Sequence, residues 1–118
     1  MAHHNTTGKN GEALALAYLI RKDFVILHTN WRHSHYEIDI IAHTGNILHF
    51  IEVKTRRSLK FGYPEESVTK KKMENLMNGA EVFLLLYPQW KRIQYDILSV
   101  DLRKNQDPEY FFIEDVSL

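Results

Sequence analysis

The dipeptide Gly45-Asn46 constrains this chain more than any other pair of residues. It interrupts the stretch YEIDIIAHTGNILHFIEVKTR between two runs rich in β-branched and aromatic residues. That pattern predicts a β-hairpin with a two-residue loop, glycine taking the first central position of a type II′ turn. Loop length sets register. With strands over Tyr36–Ala42 and Ile47–Lys54, Asp39 is expected opposite Glu52, and Glu37 opposite Lys54. Strand side chains alternate between faces, so these four groups should share one side of the sheet with Leu48 and Phe50.

Directly opposed residues on neighbouring strands have Cβ atoms roughly 4.5–5.5 Å apart, and like charges there repel. Something must offset the pairing of Asp39 with Glu52. A bound cation, a shared proton and a neighbouring lysine are the three physical options. A hard divalent cation such as Mg2+ takes oxygen ligands, usually one or two carboxylates together with water and phosphate oxygens. Lys54, two residues past Glu52 on the same face, could orient a water or stabilise charge on a phosphate. These residue types in this register point to metal-assisted phosphodiester hydrolysis.

The remaining elements follow from pattern. GKNGEALALAYLIRK predicts a helix from about Lys9 to Lys22, with Ala13, Leu16, Ala17 and Ile20 as its buried stripe and Glu12 beside it. Glu12 could therefore reach the acid pair. FVILHTNW predicts a strand. Thr69 is placed as the N-cap of a second helix over Lys70–Leu86, with Met73, Leu76, Met77, Ala80, Phe83 and Leu84 inward. RIQYDILSVDL predicts a strand and EYFFIEDV a short last one. The order αβββαβ(β) describes an α/β domain, a central mixed β-sheet flanked by helices.

At 118 residues the chain is one domain's worth, residues 1–118, with 1–7 expected to be loose. It has no cysteine, which excludes a disulfide framework, a cysteine zinc site and a cysteine nucleophile. The start, MAHHNTTGKN, has no apolar segment of a secretory signal, and no run is long enough to span a bilayer. A cytoplasmic protein with no membrane association is expected. Net charge is zero, but its distribution is uneven. Lys54–Lys72 carries seven cations against two carboxylates, and Ile93–Leu118 two against six. A basic middle segment suits an anionic partner.

The segments GEALALAYL, NWR, EIDIIA, FIEVKTRRS, FG and SVTKKK occur in the order and spacing of the YraN-like family of small bacterial proteins. The resemblance covers roughly Gly8 to Asp101. It implies a restriction-endonuclease-like fold of the PD-(D/E)xK superfamily, similar to archaeal Holliday-junction resolvases. By that resemblance Asp39, Glu52 and Lys54 are the motif residues, and Glu12 corresponds to the helix-one glutamate of resolvase-like members. Catalysis would then rest on Glu12, Asp39, Glu52 and Lys54. Mg2+ or Mn2+ would be held by Asp39, Glu52 and the Val53 carbonyl, with Glu12 as a further candidate ligand. The implied activity is a metal-dependent nuclease acting on DNA, selective for branched or other non-B-form substrates. Related resolvases act as dimers, which implies a homodimer. Three departures stand out: Ile38 where the superfamily has proline, Tyr36 where the family often has glycine, and Gln94-Tyr95-Asp96 in place of R-F-D. The last removes a positive charge near the sheet.

Lys70, Lys71 and Lys72 fall in the first helical turn, where cations oppose the helix dipole by about 0.3–1 kcal/mol. A phosphate at the helix N-terminus would relieve that conflict. Arg56, Arg57, Lys60, Lys70, Lys71 and Lys72 therefore form the candidate nucleic-acid contacts, made through backbone phosphates and hence salt-sensitive and sequence-tolerant. Trp31 and Trp90 are expected to pack rather than stack on bases. The seven histidines lack the further ligands of a zinc site and are expected to be solvated. His49 falls on the sheet face opposite Glu52. Two other readings remain open from the residues. One is a non-catalytic nucleic-acid-binding module on the same fold. The other is a structural protein in which Glu37, Lys54 and their neighbours form a plain ion-pair ladder.

Overall fold

The computed structural model describes residues 3–57, 69–103 and 105–116, and of residues 3–9 the backbone alone. Its elements are α1 (His3–Arg21), β1 (Val25–His33), β2 (Tyr36–Thr44), β3 (Ile47–Arg56), α2 (Lys70–Leu86), β4 (Arg92–Asp101) and β5 (Glu109–Ile113). The strands form one sheet in the order β1-β2-β3-β4-β5. Neighbours are antiparallel except β3 and β4, which run parallel. A parallel pair needs a long crossover, and α2 lies within it. This is the expected α/β order, with the optional last strand present. No helix among the described residues is long and apolar enough to cross a membrane.

Alternation along β3 builds two cores. Leu48 and Phe50 pack with Ile41 and Ile97 under Met73, Leu76, Ala80 and Phe83 of α2. Ile51 packs on the other side with Ile40, Ala42, Leu98 and Val100 under Ala15 and Leu19 of α1. The helices thus cover opposite faces. Phe50 is fully buried and meets Phe83 edge-on at 5.7 Å. Burial of one such side chain contributes about 1.5–3 kcal/mol. Trp31 and Trp90 pack against the α2 core, as expected.

The turn forms as the glycine predicts. Thr44 pairs with Ile47, and Gly45 has φ 56°. Among the described non-glycine residues Asn46 is not one with positive φ, so the signs fit type II′. The α2 start is also as expected: Thr69 Oγ1 accepts from Lys72 N at 3.2 Å.

The α1 stripe is not the expected one. Ala15 and Leu19 are fully buried, whereas Ala13 and Ala17 face solvent and Ile20 is 58% exposed. From Ala13 to Ile20 every residue is apolar, so periodicity cannot select a face. Gly11 selects it instead. A Cβ at that position would land on the Thr55 side chain of β3, so only glycine lets α1 settle this closely. The helix also begins at His3, not Lys9. Once the packed segment is helical, extension adds one hydrogen bond per residue fixed.

Candidate active site

β2 pairs with β3 only from Thr44↔Ile47 to Ile40↔Ile51. Beyond that point β2 stays paired with β1 as far as Tyr36↔His33. The β1–β2 hairpin therefore peels away from β3 as a unit, and the sheet opens between them. Asp39 is the first residue of β2 past the last pair.

The peel coincides with a break in alternation. Ile38 and Ile41 both belong to the α2-side core, while Ile40 and Ala42 belong to the α1 side. A regular strand cannot place residues three apart on one face. The slip occurs at Asp39. Across from it on β1, between Thr29↔Ile40 and Trp31↔Ile38, lies Asn30 with φ 50°. His28 and Trp31, also three apart, both meet Phe83. Both strands break their alternation here without a change of register, and the β1 register shift lies close by, between Ile26 and His28; such irregularities are common beside functional sites.

Asp39 and Glu52 do come together, though not as a ladder pair. The Asp39 carboxylate takes the position a backbone carbonyl would hold, accepting from Val53 N at 2.8 Å. In a strand the N–H and C=O of one residue project to the same neighbour. The Val53 carbonyl thus also faces the opened side, towards Asp39. Burial pushes the Asp39 carboxyl up to about 6, helped by the charges of Glu12 and Glu37 and opposed by the Val53 N–H and Lys72. Burial, then the Asp39 charge, pushes Glu52 up to about 7. Lys54 is held below the ordinary lysine range by burial and by the nearby charge of Lys72.

Two separate cavities flank this bend, one on each side of the sheet. One, of about 180 Å3, lies between the peeled hairpin and the start of α2 and is lined by His35, Tyr36, Glu37, Glu52, Lys72 and Asn75, with Leu76 beneath. The other, of about 60 Å3, lies on the α1 side and joins Glu12 to Asp39. Glu12 thus reaches Asp39, but not Glu52, from the α1 side of the sheet. Among the described residues no three His, Asp or Glu side chains converge as a common metal cluster. The groups that could serve a cation here are the Asp39 and Glu52 carboxylates and the Val53 carbonyl, a set that would leave the remaining positions to water or a phosphate oxygen.

Other expectations need correction. Glu37 forms its ion pair with Arg32 of β1, at 3.5 Å and exposed, rather than with Lys54. Past Ile40 the two strands have parted, so Lys54 no longer faces it. His49 is not solvated. It is 2% exposed, and its Nδ1 lies 2.7 Å from Asp96 Oδ2. Thr44 Oγ1 is 2.8 Å from Nε2, and Phe24 meets the ring edge-on at 4.8 Å. It does lie on the face away from Glu52, as expected. Asp96 in turn accepts from Gln94 Nε2 and Asp115 N, each at 2.9 Å. The aspartate of Gln94-Tyr95-Asp96 is therefore a buried structural acceptor.

Lys70 and Lys71 are exposed on the first turn of α2, and Arg57 is exposed at the end of β3. Arg56, half-buried, pairs in register with Asp101. Lys60 and the connection holding Gly62 and Pro64 lie outside the described residues. Sequence reasoning missed that Lys72, though exposed, lines the acid cleft together with Glu52. It also missed Ser99 and Asp101, which are fully buried on the Lys54 face, with Ser99 Oγ and Asp101 Oδ1 lacking a hydrogen-bond partner among the described residues. The parallel register Lys54↔Ser99 is what brings them there.

Fold and site together define a small α/β protein with an acid–lysine cleft where two strands part. The chain belongs to the family described as uncharacterised protein family UPF0102, whose profile matches residues 11–100. It is 40% identical over 100 residues to a UPF0102 protein of Bacteroides fragilis, covering 85% of this chain and 83% of that one. A Dictyoglomus thermophilum relative is 41% identical, covering 83% and 84%. One from Caldicellulosiruptor saccharolyticus is 49% identical, covering 83% and 93%.

Proposed function

We propose that this chain is a Mg2+- or Mn2+-dependent nuclease of restriction-endonuclease-like fold that hydrolyses phosphodiester bonds in DNA. The observation that carries the reading is the half-buried pair of carboxylates, Asp39 and Glu52, held together against their mutual repulsion beside two lysines. A bound cation would remove the cost that burial and repulsion place on ionising this pair, a cost that Lys72 offsets only in part.

Asp39, Glu52 and the Val53 carbonyl would hold the ion, which when bound supplies Lewis-acid activation of water and charge neutralisation at phosphate. The chain's own part is positional. Val53 N–H fixes the Asp39 carboxylate in one orientation. Lys72, opposing the ionisation penalty of both acids, keeps the anionic site open to a phosphate. Lys54 Nζ, beside Glu52, donates to a non-bridging oxygen as charge builds there. In the reaction a water oxygen forms the new P–O bond and gives up a proton. The old ester bond breaks, and the leaving oxygen takes a proton. Lys70 and Lys71, with the free N–H groups of the first α2 turn, would hold the adjoining backbone phosphates.

The test is a cleavage panel. Purified protein is incubated with duplex, single-stranded and four-way-junction DNA in Mg2+, Mn2+ or EDTA, beside Glu52→Ala. Metal-dependent product lost in the variant is expected. Product that persists in Glu52→Ala would put the chemistry elsewhere. Salt-dependent binding without any product would make the chain a binding module.

A further inference from the structure

We propose that the cleft beside Glu52 is a pocket for one unpaired nucleobase, with His35 and Tyr36 as its stacking platform. This rests on the nuclease reading for the neighbouring phosphate. It adds the substrate class: DNA with an extrahelical base beside the scissile bond.

The platform is built by the fold. His35 and Tyr36 close the β1–β2 hairpin, which has left the sheet at Asp39. Ser34 turns the chain there with φ 55°, and its hydroxyl lies 3.3 Å from His35 Nδ1. The two rings sit 4.1 Å apart, tilted by 39°. Tyr36 is laid onto α2 at Gly79, where a Cβ would come to 3.2 Å of the Tyr36 Cβ. A glycine in mid-helix costs about 1 kcal/mol relative to alanine. Here it sets the height of the Tyr36 ring above α2. His35 is exposed, so its outer face is open to a ligand.

Size and chemistry select the occupant. At about 180 Å3 the cleft is smaller than an ordinary ligand pocket of roughly 300–1,000 Å3, and it suits a single flat heterocycle. The Asn75 carboxamide and Glu37 carboxylate offer a donor and acceptors for a base edge. Lys72, on the same wall, is placed for the phosphate that follows that base. Glu52 joins the cleft to the acid pair. A paired base cannot enter, because its edge is engaged and its faces are stacked in the duplex.

The probe is a duplex bearing one unpaired 2-aminopurine, compared with the fully paired duplex in metal-free buffer, where cleavage does not intervene. Wild-type protein should bind the bulged duplex more tightly and quench its fluorescence. His35→Ala with Tyr36→Ala should lose roughly ten- to hundredfold in affinity for the bulge, with binding to paired duplex within twofold. Tyr36→Phe should keep the preference, since the ring remains. His35→Ala alone changes an exposed side chain, so it tests the platform in a folded protein; it should weaken the bulge preference. Equal wild-type affinity for the two duplexes would overturn the proposal. So would an unchanged preference in the double variant, or its loss in Tyr36→Phe. Absence of metal-dependent cleavage with the preference intact would refute the nuclease reading and leave the base pocket standing.

Discussion

Replacing Glu52 by glutamine should stabilise the metal-free protein at pH 8 and leave it almost unchanged at pH 4. Glu52 titrates near 7 in the fold, against an ordinary value of 4.5. The folded chain therefore holds this proton more tightly than the unfolded one, and stability falls as pH rises from about 4.5 to beyond 7. At about 1.4 kcal/mol for each pH unit between the two values, ionising Glu52 in the fold costs about 3 kcal/mol at pH 8. Water at the open cleft and added salt reduce that to about 1–3 kcal/mol. Asp39, raised chiefly by its own burial, makes wild-type stability fall with rising pH in the same direction. Urea denaturation in EDTA at pH 4, 6 and 8 measures the difference directly. With ~10 mM Mg2+ the order should reverse at pH 8, because the native wild type gains binding free energy that the variant lacks. A wild-type stability that is flat from pH 5 to 8, with the Glu52→Gln variant less stable at pH 8, would refute the account of a strained acid pair.

Asp39→Ala leaves Val53 N–H without its acceptor and should cost about 1–3 kcal/mol; Asp39→Asn keeps an acceptor oxygen and should fold normally while losing Mn2+ binding in calorimetry. Gly11→Ala should push α1 off β3 at Thr55, lowering stability by about 1–3 kcal/mol in spite of alanine's better helix propensity; a more stable variant in thermal denaturation would show that the contact yields freely. Asp96→Ala removes the acceptor shared by His49, Gln94 and Asp115 N, and should cost about 3 kcal/mol in urea denaturation with no change in Mn2+ affinity.

The β2–β3 turn and the register next to it could be read from sequence because both are local: a glycine at one position and a two-residue period. The Thr69 cap and the apolar face of α2 were legible for the same reason. What could not be read depends on distant pairing. Nothing in NWR or EIDI marks the double slip at Asn30 and Asp39, since the strands are bent by which core each side chain joins. The slip is why Asp39 meets Glu52 by leaving the ladder rather than by facing it. The His49–Asp96 contact exists only because β3 runs parallel to β4 with Ile51 beside Asp96. Lys72 reaches Glu52 only because the crossover returns α2 over that end of the sheet. The apolar run in α1 held no information about its face until Gly11 met Thr55.

The bend in β1 has a second consequence, for how copies of this protein behave in a crowded solution. β1 is an outermost strand, and Val25 and Leu27 are exposed along it. A straight strand of that kind would template the addition of a foreign one through its open N–H and C=O groups. The register shift between Ile26 and His28, followed by the left-handed Asn30, breaks that row twice within five residues. The irregularities near the cleft thus interrupt the row of backbone groups along this border, the kind of break by which edge strands discourage the addition of another strand.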